Sequence, residues 1–279
     1  MTAQRPQLRV AQLVSYPIKG CAAVHVASAQ VTPAGIAHDR TFLIVDEDGV
    51  FRTQRRHPQL ALINPDPSPD GTRISLRHRD LESIVVDVDI AGPRRPVQLH
   101  GRPFLGIDQG SSAADWLSEA IGERCRLVRV PPEHRRTTGG HTPGTSGYAD
   151  SSAVHMLSLA TLGLLNERLR QNGQPPVPID RFRPNVVIEG GAAHVEDLVR
   201  RATVGDCELG YAKLALRCVV TTVDQESARK RGPEPLRTLA GYRRTQGGVA
   251  LGAKFAVVRP GKLSVGDAVT VHDWGASEL

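Results

Sequence analysis

The feature that most limits what this chain can fold into is its punctuation. Apolar, β-branched runs of strand length recur from one end to the other, and most are closed by Gly, Pro or Asp. Residues 41–46 (Thr-Phe-Leu-Ile-Val-Asp) run into Asp46-Glu47-Asp48-Gly49, and 186–188 (Val-Val-Ile) are closed by Gly190-Gly191. Such runs between turn residues read as strands, whereas helix-length amphipathic runs are few. The 27 glycines and 20 prolines supply the turns. With aromatic residues at 4%, Val, Ile, Leu and Ala must fill the core. The expectation is a mixed α/β chain that is rich in β-structure.

In chain order, strands are expected at 8–19 (edged by Pro17), from Val24 to Val31, at 41–46 with a hairpin turn into Val50-Phe51, and at 58–63, 73–77, 83–89 and 96–99. A helix over 111–121 carries an N-cap serine and Gly122 as its closing residue. A strand at 125–130 follows. Residues 131–150, with Pro131-Pro132 and two Gly/Thr-rich stretches, have the composition of a flexible loop. The clearest helix covers 158–170, with Ser158 as N-cap and Leu159, Leu162, Leu165 and Leu169 as its apolar stripe. Strands at 186–188, around Gly205-Asp206, at 248–258 and at 262–271, with a short helix within 233–243, complete the chain.

The formal net charge of +6 is carried mostly by scattered arginines, with no block of like charge and no interleaved aromatics on which bases could stack. That argues against nucleic acid as the partner and leaves a phosphate-bearing cofactor or solubility as its origin. No apolar run approaches membrane length, and the start, Met1-Thr2-Ala3-Gln4-Arg5-Pro6, has no signal-peptide character, so no membrane association is expected. The four cysteines, Cys21, Cys125, Cys207 and Cys218, have neither CxxC nor zinc-finger spacing. Free thiols in a reducing cytoplasm are expected. There is no GxGxxG after a strand, no Walker lysine loop and no GxSxG elbow.

The stretch with most chemistry in it is 214–224, Leu-Ala-Leu-Arg-Cys-Val-Val-Thr-Thr-Val-Asp. It reads as a buried strand interrupted once by Arg217-Cys218. An Arg beside a Cys favours the thiolate, the form that ligates metals or attacks electrophiles. On position alone a buried structural cysteine is the commoner outcome.

Other motifs give that pair a context. Tyr16-Pro17-Ile18-Lys19-Gly20-Cys21 resembles the Tyr-Pro-hydrophobic-Lys-Ser-Cys opening of MOSC proteins, the family named after the C-terminal domain of molybdenum cofactor sulfurase. His38-Asp39-Arg40, Thr53-Gln54-Arg55-Arg56-His57-Pro58, Arg181-Phe182-Arg183-Pro184-Asn185, Arg217-Cys218-x-x-Thr221-Thr222-Val223-Asp224 and Pro260-Gly261-x-x-x-Val265-Gly266-Asp267 resemble further motifs of that family, in the family's order. The architecture is similar to that of the mitochondrial amidoxime-reducing component and its bacterial relatives. The resemblance implies a MOSC β-barrel with peripheral helices over 106–279, preceded by a MOSC N-terminal β domain over 1–105.

It also implies an oxidoreductase that binds the molybdenum cofactor (Mo-molybdopterin) and reduces N-hydroxylated small molecules. The chain has no cysteines for an iron–sulfur cluster, so electrons must come from a separate donor protein: a ferredoxin, a flavoprotein or a cytochrome b5-like protein. Cys218 is the implied metal ligand, a soft thiolate suited to molybdenum. Lys19, Arg40 and Arg183 match cofactor-binding positions, where Arg offers planar paired donors to phosphate and Lys a point charge. Asn185 matches a pterin-contacting amide and Arg217 a neighbour of the metal ligand. Gly20 departs from the family's Ser and keeps only its backbone N–H for the cofactor. Lys254 falls where some relatives have a Tyr near the cofactor. His155, after Asp150, is a candidate proton donor for reducing N–OH. Cys21 is a candidate second thiol near the metal, while Cys125 and Cys207 look structural. Pyridoxal phosphate binding belongs to the family only as a general description, and this chain shows no Schiff-base lysine context. The alternative function is a non-catalytic molybdenum cofactor carrier or sulfur-relay protein.

Overall fold

The computed structural model describes residues 7–279; the polar start at 1–6 lies outside them. The largest sheet runs in the order Val24–Val26, Arg9–Ser15, Val186–Glu189, Val154–Ser158, Gly248–Arg259, Cys207–Arg217, Val199–Val204 and Val269–Trp274, with Arg244–Thr245 paired to Gly248–Arg259 at its side. The neighbours are antiparallel except Val154–Ser158 and Val186–Glu189. A parallel pair needs a crossover, which helix α2 supplies (Leu159–Gln171; α1 and α3 follow below). Ser158 caps that helix as expected, its hydroxyl accepting from the Thr161 N–H at 2.9 Å. Leu165 and Leu169 are buried with Phe182, Leu239 and Leu251.

A second assembly uses the sheet Phe42–Val45, Arg126–Arg129, Arg102–Asp108, Arg94–Leu99 and the meander Asn64–Pro67, Arg73–His78, Leu81–Asp87. Helix α1 (Ser111–Ile121) lays Trp116, Leu117 and Ile121 on Leu60, Ile74, Leu76 and Cys125. Its N-cap is Gly110, with no side-chain cap, rather than the expected serine; Gly122 closes it in the left-handed region at φ 81°. The strand expected at 58–63 is instead a 3-10 turn, Pro58–Leu62. Pro58 opens it, because a missing N–H and a fixed φ cost nothing in a first turn. The strand Arg102–Asp108 has no counterpart in the sequence-based expectation, since Pro103 and Gly106 dilute its apolar pattern. It runs through residue 105, so the elements on both sides of the expected division share one sheet.

The two parts of the chain also exchange strands. Arg9–Ser15 sits in the large sheet, and Gly261–Ser264 pairs with Ser28–Thr32. The run at 262–271 is therefore two strands in different sheets, Gly261–Ser264 and Val269–Trp274. The segment 131–150, expected as a flexible loop, is anchored: Thr137–Thr138 pairs with Gly144–Thr145, and Tyr148 is fully buried with its Oη donating to the Leu105 carbonyl at 2.7 Å. Helix α3 (Leu236–Ala240) is short. The β-rich mixed class is what the sequence predicts. Among the described residues no helix is long and apolar enough to cross a membrane.

Candidate functional site

The 214–224 stretch does not continue as a buried strand. The strand Cys207–Arg217 stops at Arg217, and Cys218 heads a 3-10 turn, Val219–Thr222. The cause is local. The hydroxyls of Thr221 and Thr222 bond back to the carbonyls of Cys218 (2.9 Å) and Val219 (2.8 Å), which competes with a sheet ladder. Arg181 holds the turn from outside, with Nη1 to the Thr222 carbonyl at 3.4 Å and Nη2 to Asp224 Oδ2 at 3.2 Å. Cys218 is thereby exposed on a cavity wall, whereas Cys21, Cys125 and Cys207 are buried; none of the four is paired. Cys21 lies in the core under α1, where burial pushes its thiol up to about 12, so it is not a second thiol in the cavity.

Behind Arg40 and Arg183, a hydrogen-bonded network begins with the buried Tyr16. Its N–H donates to Asp39 Oδ1 at 2.8 Å. The Arg40 guanidinium donates to Asp39 Oδ2 at 2.6 Å, Asn185 Oδ1 at 3.0 Å and the Arg183 carbonyl at 3.2 Å. Arg40 and Arg183 both stack on the Tyr16 ring, 4.4 and 4.1 Å from its centroid. Burial acts against the charge of Arg40, but Asp39 more than offsets it and the group is held above its ordinary value. Arg40 and Arg183 also adopt left-handed backbone, at φ 46° and 55°. Non-glycine residues seldom sit there, and such positions gather at functional sites.

Other guanidinium groups of the cavity keep unmet donors. Arg217 is fixed by its Nη2 on the Phe182 carbonyl (3.0 Å) and its Nη1 against His155 Nε2 (3.3 Å), yet its buried Nε has no partner. Arg183 Nη2 and Arg181 Nε are buried and unpartnered as well. Leaving such donors unmet is costly, and native structures seldom do so without a ligand or water. Burial pushes Arg217 down to about 10. It pushes the Lys254 ammonium down to about 7, with Arg217 and Arg40 adding to the effect. The cavity holds about 770 Å³ of empty space, part of it open to solvent.

Of the residues expected at the site, the structure brings Lys19, Gly20, Arg40, Arg183, Arg217, Cys218 and Lys254 together on this cavity. Gly20 has a reason to replace Ser: its φ is 89°, and a Cβ would lie 3.3 Å from Leu60 Cδ1. Two residues are displaced from their expected roles. Asn185 is buried behind Arg40, its amide used up between Arg40, the His155 N–H (3.2 Å) and the Val14 carbonyl (3.1 Å), so it positions Arg40 rather than lining the cavity. His155 is 1% exposed and sits behind Arg217. Its Nδ1 lies 3.4 Å from the Arg183 carbonyl. That assigns the proton to Nδ1 and leaves Nε2 to accept from Arg217. Burial holds its pKa well below the usual histidine range, so it is a neutral prop and not the cavity's proton donor.

Residues that line the site but are absent from the sequence-based set include Asp150, His100 and Gln54. Asp150 stands at the mouth, ion-paired with Lys19 and 2.9 Å from His100 Nε2. Gln54 donates to the Gly20 carbonyl at 2.6 Å and exchanges amide bonds with Gln225 at 2.9 and 3.0 Å. Gln54 falls within a quoted motif and Asp150 just before His155, so both carry a sequence signal; nothing in the sequence marks His100.

Among the described residues no group of three or more His, Cys, Asp or Glu side chains could cage a metal. The protein offers a metal at this cavity one thiolate, Cys218, and offers an anionic group the positive charge of Lys19, Arg40, Arg183, Arg217 and Lys254. That donor set fits an anionic cofactor that brings its own metal ligands.

The MOSC N-terminal beta barrel domain model matches residues 7–124, and the MOSC domain model matches residues 143–270. The chain is 33% identical to mitochondrial amidoxime-reducing component 1 of Mus musculus, over 93% of this chain and 81% of that one. It is 30% identical to the Homo sapiens protein of the same name, over 93% and 82%. To the molybdenum cofactor sulfurase of Danio rerio it is 29% identical, over 88% of this chain but only 31% of that protein. With both domain models matched in order and the alignment running through most of each amidoxime-reducing relative, the chain belongs to the MOSC-domain family, as a protein with a MOSC N-terminal domain similar to the mitochondrial amidoxime-reducing components.

Proposed function

We propose that this protein is a molybdenum-cofactor-dependent oxidoreductase that reduces N-hydroxylated compounds with electrons from a separate donor protein, of the ferredoxin, flavoprotein or cytochrome b5-like kind. The observation that carries this reading is the exposed Cys218 thiol on the same cavity as Arg40, Arg183, Arg217 and Lys254, a cluster of buried cations. The overall reaction takes an N–OH group, two electrons and two protons to N–H and water. The cofactor, when bound, supplies two-electron chemistry at the N–O bond.

The chain's own residues bind and orient. Cys218 would hold the metal, and Arg183 and Arg217 would donate to the cofactor's phosphate and pterin heteroatoms. Arg40, fixed by Asp39 and Asn185, adds positive charge that costs little reorganisation on binding. Lys19 sits on the mouth side, paired to Asp150. Lys254 at about 7 can hold or release a proton at Nζ near neutrality, the task that the sequence alone suggests for His155. His155 keeps Arg217 aimed into the cavity. Four unpaired cysteines are in keeping with the cytoplasm.

The test is reduction of benzamidoxime to benzamidine by molybdenum-loaded protein with a reduced ferredoxin or flavoprotein donor. Turnover that disappears in Cys218→Ser supports the reading. A loaded wild type inert toward a panel of N-hydroxylated compounds, or full turnover by Cys218→Ser, would overturn it. A second reading rests on the exposure of Cys218 and the similarity to the sulfurase: a relay in which the Cys218 thiolate takes the outer sulfur of a persulfide on a partner desulfurase, whose cysteine leaves as the thiolate. Mass spectrometry showing persulfide on Cys218, with no N–O reduction, would favour that reading instead.

A further inference from the structure

The cavity does not end at Lys19. Asp150 and His100 are shared with an adjoining depression whose other walls carry Arg102, Arg136 and Lys213. Three parts of the chain meet there. Arg102 follows the tight turn at His100-Gly101 (φ 53° and 73°) that joins Arg94–Leu99 to Arg102–Asp108. Arg136 comes from the anchored 131–150 segment, and Lys213 from the long strand Cys207–Arg217.

The depression carries more positive charge than its own residues neutralise. Among the described residues, Arg102, Arg136 and Lys213 have no carboxylate within ion-pair distance. Arg136 spends its donors on the main-chain carbonyls of Gly147 (2.9 Å), Ala149 (2.5 Å) and Asp150 (3.2 Å), which fix its place and leave its net charge uncompensated. The single nearby carboxylate, Asp150, is already shared by Lys19 and His100. Lys213 stands directly opposite Lys254 in the strand register. That register joins the depression, lined by Lys213, to the central cavity, lined by Lys254.

We propose that this depression is an anion subsite of the same centre, so that the preferred substrates are N-hydroxylated compounds bearing a carboxylate or phosphate group. The inference rests on the reductase reading for the reaction but not for the binding. An oxyanion over Arg102 and Lys213 supplies the negative charge that no carboxylate of the depression gives them. It also directs the neutral N–OH end of the molecule past Asp150 into the cavity.

The test is calorimetric binding of benzamidoxime and para-carboxybenzamidoxime to the protein as purified, with molybdenum content measured on the same samples. At low ionic strength the carboxylated ligand is expected to bind about tenfold more tightly. In the Arg102→Glu/Lys213→Met double variant the ratio should fall to about one. Arg102→Glu alone, at an exposed position, should lower it about threefold and covers the case in which the double variant misfolds. No preference in the wild type, or a preference that survives both substitutions, would overturn the subsite. A preference lost only in step with molybdenum would assign the charges to the cofactor's own phosphate and overturn it equally. Because the readout is binding, failure of turnover leaves the subsite standing and counts against the reductase reading alone.

Discussion

Two parts of the central cavity use the same kinds of residue to opposite ends. Next to Tyr16, Arg40 is satisfied by Asp39, Asn185 and a main-chain carbonyl, and Asn185 in turn accepts from the His155 N–H and donates to the Val14 carbonyl. Beside Cys218, Arg217 keeps an unmet Nε and Lys254 has lost much of its affinity for a proton, and Arg183, stacked on Tyr16 like Arg40, differs from Arg40 in keeping an unmet Nη2. The fold itself satisfies Arg40, whereas Arg217 and Arg183 are the groups that the proposed cofactor would complete. The difference separates residues that position from residues that bind, a distinction that resemblance by motif does not make.

The comparison can be broken most sharply at Cys218. Its side chain is exposed, so Cys218→Ser should fold normally while N–O reduction falls by about a thousandfold or more, measured as single-substrate turnover. Unfolding of that variant would make the residue a structural one instead. Next come the two arginines. Arg40→Ala leaves Asp39 buried without its cation and should cost about 3 kcal/mol in urea unfolding. Arg183→Met removes a guanidinium whose Nη2 has no partner and should cost no more than about 1 kcal/mol, mostly the stacking on Tyr16, while weakening cofactor retention. Equal losses of stability would erase the distinction between the two arginines.

A smaller effect concerns pH. The folded state lowers Lys254 from 10.5 to about 7, so between these values the unfolded chain binds the proton that the folded chain has released. The Lys254 contribution to the stability of cofactor-free protein therefore rises with pH from about 7 upward and is absent below it. The wild type should gain stability over Lys254→Met as pH increases from 7 toward 9, measured as the difference in urea midpoints. The smallest effect is expected at His155. His155→Gln should lower turnover by no more than about tenfold and leave the pH profile unchanged, since a neutral prop is being replaced and not a proton donor, whose loss would cost about 10²- to 10⁴-fold.

Much of this molecule is legible in its sequence, but unevenly. Turn residues and β-branched runs mark most strands, and Ser158 marks the start of α2, because these signals act over a few residues. Pro58 and the Thr221-Thr222 pair are harder to read: each belongs to a 3-10 turn inside an apolar run that periodicity alone assigns to a strand. At the site, residue identity is readable and side-chain direction is not. The strand Val154–Ser158 is buried on both faces, so no alternation shows that His155 points behind Arg217. Asn185 has the right chemistry for a ligand contact, and only the position of Arg40, far away in the chain, reveals that its amide is already committed. His100 reaches the mouth through a hairpin whose second strand is obscured by Pro103 and Gly106.

The most direct measurement is metal analysis of wild type and Cys218→Ser purified in parallel from molybdate-replete cells. A cavity completed by a molybdenum-bearing cofactor on Cys218 predicts about one molybdenum per wild-type chain and little or none in Cys218→Ser, with both proteins folded. A molybdenum-free wild type, or equal molybdenum in the two, would contradict it.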